Sequence, residues 1–498
     1  MIRLDAEKID ELRNRLTGKI ILPGDEAYDD ARTVWNAAID RRPAAIVRCS
    51  TTSDVVHAVN FARKSGIPLA VRGGGHNIAG SALCDGGLVI DLSRMKAASV
   101  DPVARLASIE GGATLADLDA ATQAHGLATP VGINSTTGIA GLTLGGGFGW
   151  LSRKHGMTID NLESAEVVTA AGEVVRASAV EHPDLFWAVR GGGGNFGVVT
   201  RFEFRLHPVG PRLLSGMIVY TLTEARSVLR RWRDFAEEAP DDLAVWAILR
   251  QAPPLPFLPE SVHGKEVVVL ALFYAGDPTQ GETLIEPLRA FGAPVGEHVG
   301  TQPYTTWQQA FDPLLAAGAR NYWKSHNLAK LDDGLFDTLI THLGRLPSPQ
   351  CEVLLATLGG AASRPAPDSA AYPHRDVRFV MNVHARWEDP VDDGRCRTWA
   401  RDLFDAATPF ATGGVYVNFL TQEEGERVRA AYGPNYDRLA GVKRMYDPDN
   451  IFSTNQNIVP AGNGIRHRAE VHDSDKGRGE SRVDDPLEGT SMARKERS

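Results

Sequence analysis

Short apolar runs of strand length alternate with helix-patterned segments along the first part of the chain. Residues 45–47 form such a run, and Val55, Val56, Val59 and Ala62 then recur on one helical face. Ser53 is placed to cap that helix, Gly66 to stop it, and residues 67–71 to return as a strand. A second round follows, with a strand at 106–110, a turn at Gly111-Gly112, a helix at 114–125 and a stop at Gly126. The stretch from Gly132 to Gly149 is so dense in glycine that no helix is predicted there. Residues 166–169 and 173–177 flank Ala170-Ala171-Gly172 and predict a hairpin. Residues 1–208 are therefore expected to be an α+β unit that keeps its glycines in loops.

From Pro211 the texture changes. Strand-like runs stand at 217–222, 243–249, 266–274, 352–358 and 377–387, with helical stretches such as 335–344 and 395–407 between them. This predicts a second domain over 209–411, a mostly antiparallel sheet backed by helices. A bend at Thr412-Gly413-Gly414 leads into an expected strand at 415–420, and two helical segments complete a closing piece, 412–462. Residues 463–498 are charged and without apolar periodicity, and are expected to be a disordered tail.

Composition narrows the classes. In 498 residues, 43% hydrophobic and 23% charged positions exclude a mainly disordered chain. No apolar run approaches the ~20 residues that span a bilayer, and the charged start predicts neither a signal peptide nor an anchor. A net charge of −9 without a long basic block in the body of the chain argues against general nucleic-acid binding. Cys49, Cys84, Cys351 and Cys396 stand far apart without a CxxC pair, which fits a reducing cytoplasm better than a disulfide scaffold. No HxH, HExxH or carboxylate cluster predicts a metal.

The chemistry-bearing segments are glycine loops. Arg72-Gly73-Gly74-Gly75-His76-Asn77 follows a strand directly, and its amides can turn toward a pyrophosphate. Gly191-Gly192-Gly193-Gly194-Asn195-Phe196-Gly197 contains a formal GxGxxG. A dinucleotide fingerprint of that kind opens a helix. Here residues 198–206 alternate and are rich in β-branched and aromatic side chains, so a strand follows and the Rossmann reading is rejected. With the stretch 132–149, three such loops in one domain point to a large phosphate-bearing cofactor held in extended form.

The blocks AVRGGGHNIAG, IDLSRM, GGATLADLDAA, GLTLGGGFGWLSRKHGMTIDNL and PDLFWAVRGGGGNFGVVT resemble the FAD-linked oxidase family. This is the vanillyl-alcohol oxidase superfamily with its two-part PCMH-type FAD domain, in the berberine-bridge-enzyme-like branch. The closing YVNFL and DPDNIF...NQNI are similar to that branch's C-terminal segment, so the resemblance spans about residues 35–210 and 412–460. It implies that 1–208 and 412–462 wrap FAD while 209–411 roof the isoalloxazine ring and shape the substrate pocket. The cofactor-binding residues it implies are Arg72, Gly73, Gly74, Gly75, His76, Asn77, Gly80 and Ser81 from the first loop. Thr136, Thr137, Gly138, Gly141, Gly145, Gly146, Gly147, Gly149 and Asn161 follow from the second. Gly194, Asn195, Gly197, Val198 and Asn455 complete the set with Tyr416 and Asn418.

By the same resemblance His76 attaches to the flavin 8α-methyl carbon. Bicovalent members carry a second tether, a cysteine in GxCxTxGxxG; Asn134 stands in its place, so a single covalent bond is expected. Thr137 is small enough to leave the oxygen-reactive carbon open, which implies O2 as acceptor and hydrogen peroxide as product. Tyr416 and Asn418 are the implied catalytic residues, and Phe419 stands where many alcohol- and sugar-oxidising relatives have a second tyrosine. Similarity to the 6-hydroxynicotine-oxidase type favours a small amine or N-heterocycle substrate. The alternatives are an oligosaccharide or alcohol oxidase and a flavin-containing ligand-sequestering protein. On 377–387, Arg378, Asn382, His384 and Arg386 share one parity, and solvent exposure is expected for most of them. Tyr322, Lys324 and Asn327 are further pocket candidates, and His57 and His125 are expected at the surface.

Overall fold

The computed structural model describes residues 4–462, so the expectation for 463–498 lies outside the described residues. The first sheet runs in the order Lys19–Ile21, Ala45–Arg48, Leu88–Asp91, Leu69–Arg72. Both strands expected within 45–72 are present, but Leu88–Asp91 lies between them and parallel to both. Parallel strands are covered on both faces and therefore read as unbroken apolar runs; Ile46, Val47, Val89 and Ile90 are fully buried. The helix between them, Thr52–Ser65, ends at Gly66 with φ +62° as expected, but its cap is Thr51 rather than Ser53. The reason is Asp54. Its carboxylate accepts the amides of Thr17, Gly18, Ser50 and Thr51, which places the helix start one turn from that anchor.

The second sheet is antiparallel throughout, in the order Ala98–Asp101, Leu106–Glu110, Val198–Arg205, Leu162–Val168, Val174–Ser178. The expected hairpin forms its edge. Its central strand is the one that follows the 191–197 loop, so that loop feeds a sheet and not a helix. The glycine-dense stretch departs from expectation, because Ile139–Leu144 is helical. Ile139, Ala140, Thr143 and Leu144 are buried, and that tertiary packing overrides the low helix propensity of Gly141.

The third sheet has seven antiparallel strands, in the order Gly296–Pro303, Arg212–Thr221, Glu266–Tyr274, Leu243–Gln251, Glu352–Thr357, Phe379–Trp387, Arg320–Leu328. One face packs Val245, Ala247, Leu270, Leu355, Met381 and Val383 against Ala225–Glu238, Asp333–Leu343 and Asp393–Ala407. The other face turns Trp246, Val269, Phe273 and Val380 toward Phe148, Trp150 and Tyr416 of the remaining chain. A sheet so divided becomes a roof over those residues. Residues 415–420 are not a strand. Val417–Phe419 is a 3-10 turn, closed by the Phe419 amide on the Tyr416 carbonyl at 2.9 Å. The alternation of apolar residues there has no partner strand to pair with, so it specifies no extended segment.

Candidate active site

A single cleft collects most of the implied residues. Its wall contains Gly73, Gly74, Gly75, His76, Asn77 and Ser81, then Thr137, Gly138 and Gly141, then Gly194, Asn195, Gly197 and Val198, with Tyr416, Asn418 and Asn455 from the closing segment. The first two loops meet backbone to backbone. A Cβ on Gly74 would lie 2.3 Å from the Gly138 nitrogen, and one on Gly138 would lie 2.3 Å from the Gly74 nitrogen, so neither position accepts a side chain without movement. The third loop is clamped by Asn195, whose Nδ2 donates to the Gly192 and Gln456 carbonyls at 2.9 and 3.2 Å and whose Oδ1 accepts the Ile458 amide at 3.0 Å.

The remaining implied residues are not part of the wall. Arg72 lies opposite Asp91 in the first sheet, donates to that buried carboxylate at 2.6 Å, and is occupied as half of an ion pair. Asn161 is likewise consumed by structure, donating to the carbonyls of His155 and Met157 while its Oδ1 meets His207 Nε2 at 2.6 Å. Gly80 faces Ile39, Gly149 packs on the Val131 carbonyl, and Gly145 supports the Asn418 amide. Gly146 lies against Met157 and Tyr372, and Gly147 donates its amide to Tyr416. Thr136 acts one step back from the wall, through His76.

His76 stacks on Trp35 with ring centres 5.2 Å apart, and its Nε2 lies 3.1 Å from Thr136 Oγ1. Thr136 Oγ1 donates to Asn134 Oδ1 at 2.7 Å, so toward the imidazole it accepts. That places the proton on Nε2 and leaves the lone pair on Nδ1. Burial pulls the His76 pKa down to about 4, and the ring is neutral at pH 7. Asn134 thus terminates a relay that sets the tautomer of His76.

Tyr416 is fully enclosed. Its hydroxyl accepts the Gly147 amide at 3.1 Å and Asn418 Nδ2 at 3.0 Å, and Asn418 also holds the Gly141 carbonyl at 3.1 Å. Burial pushes the phenol up to about 12 against the pull of those donors. The phenol therefore keeps its proton at neutral pH, and with both acceptor sides taken the hydroxyl has a hydrogen to offer.

The roof supplies residues that periodicity did not rank. Asn382 and His384 line the cleft and are buried, contrary to the expectation of solvent exposure; Arg386 is buried as well, beneath Trp35. Arg378 is exposed, as expected. Tyr322 and Lys324 point to the helical face, where the Tyr322 hydroxyl bonds Glu423 and Arg401 and Lys324 pairs with Glu424 at 3.2 Å. Asn327 is buried beside Gly414 and outside the cleft wall. His125 is exposed, while His57 is half-buried with its Nε2 3.4 Å from Ser53 Oγ. Trp35, Phe148, Trp246, Trp323, Glu352 and Tyr432 also line the cleft. Only the alternation of their own strands pointed to Trp246, Trp323 and Glu352, and it does not say which face meets a ligand. No group of three or more His, Cys, Asp or Glu side chains able to hold a metal occurs among the described residues.

Comparison with known proteins identifies the family. A sequence profile described as FAD binding domain matches residues 43–178, and one described as berberine and berberine like matches 415–459. The chain is 32% identical over 459 residues to the FAD-linked oxidoreductase YgaK of Bacillus subtilis, covering 90% of this chain and 98% of that one. It is 31% identical over 472 residues to (R)-6-hydroxynicotine oxidase of Paenarthrobacter nicotinovorans, covering 90% and 98%. The crystal structure of 6-hydroxy-D-nicotine oxidase from Arthrobacter nicotinovorans superposes with a TM-score of 0.81 at 29% identity, over 89% of this chain and 98% of that one. The cleft has room and unmet polarity for FAD. A Cβ on Gly141 would meet nothing within 4 Å, one on Gly194 would reach only Asn455 Nδ2 at 4.0 Å, and Asn455 Oδ1 is buried in the wall without a partner among the described residues. The chain belongs to the FAD-linked oxidoreductases of the PCMH-type, berberine-bridge-enzyme-like family.

Proposed function

We propose that this protein is an oxidase that takes hydride from a C–H next to nitrogen or oxygen in a small organic molecule and passes the electrons to O2, giving hydrogen peroxide. FAD in the cleft would supply the two-electron acceptor, through its N5. The observation that carries the reading is the meeting of His76, the glycine loops, Tyr416 and Asn418 beneath one aromatic roof. His76 would tether the flavin through a single covalent bond, since its neutral ring offers a lone pair and Asn134 supplies no second thiol. Tyr416 would donate its hydrogen to the polar atom of the substrate.

A cyclic amine is the favoured substrate class. Phe148, Trp246, Trp323 and Phe419 give flat apolar walls suited to a planar ring, and Phe419 adds no hydroxyl for a sugar. The test is an anaerobic panel of cyclic amines, (R)-6-hydroxynicotine among them, alongside oligosaccharides and secondary alcohols, with flavin absorbance followed. Bleaching by an amine, and peroxide on admitting air, are expected. Bleaching by oligosaccharides alone would overturn the amine assignment, and no bleaching by any compound would overturn the oxidase.

Two variants probe the parts. His76→Ala is expected to release its yellow colour to the supernatant on acid precipitation, where the natural protein keeps it in the pellet. Tyr416→Phe is expected to slow flavin reduction about tenfold, the value of one hydrogen bond of ~1.4 kcal/mol, measured by stopped flow.

A further inference from the structure

The register of the roof sheet sets four side chains from four strands in one row. Trp323 lies opposite His384, His384 opposite Glu352, and Glu352 opposite Arg250. Arg250 Nη1 donates to Glu352 Oε2 at 2.7 Å, and His384 Nδ1 lies 3.2 Å from Glu352 Oε1. Burial alone would push the Glu352 carboxyl up, but Arg250 and His384 bring it below the usual carboxylate range. Glu352 is therefore an ionised acceptor, and His384 Nδ1 must carry the hydrogen that joins them.

The second nitrogen is what remains. Burial holds the imidazole below its ordinary value, Glu352 opposes that shift, and Arg386 and Arg250 add to it, so the ring is neutral at pH 7. A neutral ring protonated on Nδ1 bears its lone pair on Nε2. That atom is buried and has no partner among the described residues. His384 itself is 5% exposed, lines the cleft, and is pinned edge-on by Trp323 at 4.2 Å between ring centres. A neutral imidazole on a pocket wall, with one ring nitrogen left without a partner, has the makings of a general base. Tyr416 does not fill that role as a phenol, and Phe419 has no acid–base group at all.

We propose that His384 is the catalytic base of this site, its Nε2 taking the proton from the N–H or O–H borne by the carbon that is oxidised, with Glu352 and Arg250 as positioning residues. The inference rests on the hydride-transfer reading above and deepens it. The C–H bond breaks, and FAD held in the cleft would supply the oxidant that takes its hydrogen and electron pair. The N–H or O–H bond breaks toward Nε2, and a C=N or C=O bond forms. O2 then takes the two electrons and two protons as hydrogen peroxide, one of those protons being returned from His384. With this base in place, the lack of a second tyrosine at Phe419 does not confine the site to amines. The substrate class is a neutral amine or an alcohol carrying both hydrogens.

The test uses the flavin-loaded protein and any panel compound that bleaches its flavin. His384→Gln is expected to slow anaerobic flavin reduction about 10²–10⁴-fold, with the flavin spectrum unchanged. In the natural protein the neutral ring is the active form, so the rate should hold a plateau at neutral pH and fall as the pH drops below the ordinary imidazole range. Glu352→Gln should move that inflection and slow the reaction less than His384→Gln. Independently of turnover, ¹⁵N-histidine NMR should find His384 bare at Nε2 and protonated at Nδ1. A His384→Gln rate within about threefold of the natural protein, a reduction rate flat across the acid range, or a proton on Nε2 would each overturn the assignment. If nothing bleaches the flavin, the oxidase reading fails by itself, while the NMR signal still decides the state of His384.

Discussion

Lys443→Ala should cost the folded protein about 3–5 kcal/mol, the usual penalty for stranding one member of a buried ion pair. Lys443 and Asp447 are both 0% exposed, and all three ammonium hydrogens are used. Nζ donates to Asp447 Oδ2 at 2.6 Å, to the Asn195 carbonyl at 2.7 Å and to the Phe452 carbonyl at 3.0 Å. Asp447 in turn accepts the amides of Ile451 and Phe452, each at 2.9 Å. One side chain thus ties the 191–197 loop to the segment that carries Asn455, and both line the cleft. Urea unfolding of the flavin-loaded protein measures the loss, and the flavin content of the purified variant should fall with it. The double variant Lys443→Ala/Asp447→Ala should lose less than Lys443→Ala alone, because no uncompensated charge is left behind. A single variant within about 1 kcal/mol of the natural protein would show that the pair is not the tie.

Gly138→Ala is the second large effect expected. The added methyl would sit 2.3 Å from the Gly74 nitrogen and 2.7 Å from its Cα, contacts with backbone that only separation of the two loops relieves. Overpacking of this kind costs about 1–3 kcal/mol or more, and here the displaced loops carry His76 on one side and Thr137 on the other. The variant should be purified nearly colourless. Gly141→Ala is the informative contrast. It lies inside the helix Ile139–Leu144, where alanine is favoured by about 1 kcal/mol, and its methyl would meet no protein atom within 4 Å. That methyl would point into the cleft instead. Gly141→Ala should therefore unfold no earlier than the natural protein in the absence of flavin, yet take up FAD less well. Flavin content equal to that of the natural protein in both variants, read from the ratio of visible to protein absorbance, would contradict the placement of these loops.

Much of the fold was legible because it is written in local chemistry. The Gly66 stop follows from the freedom of one residue at positive φ. The strand after the 191–197 loop follows from β-branched and aromatic alternation, and that alone was enough to set aside the dinucleotide fingerprint. The failures share a cause. Ser53 lost the helix cap to Thr51 because Asp54 gathers amides from Thr17 and Gly18, more than thirty residues away in the chain. The glycine-dense stretch formed a helix because its apolar side chains are buried by other segments. Residues 415–420 formed a turn because no strand lies beside them. Nothing local to Arg72 announces its ion pair, because Asp91 is brought beside it by the strand inserted at Leu88–Asp91.

The amino-acid order by itself determined where the glycine loops lie, that the third of them opens a strand, and that His76 stands in the first and Asn134 in the second. These depend on what each residue and its immediate neighbours can do. Tertiary structure decided which face of the roof meets the cleft, and it aligned Trp323, His384, Glu352 and Arg250 in one row. Strand register is set by pairing between segments far apart in the chain, and alternation within one strand carries no information about its neighbour's phase.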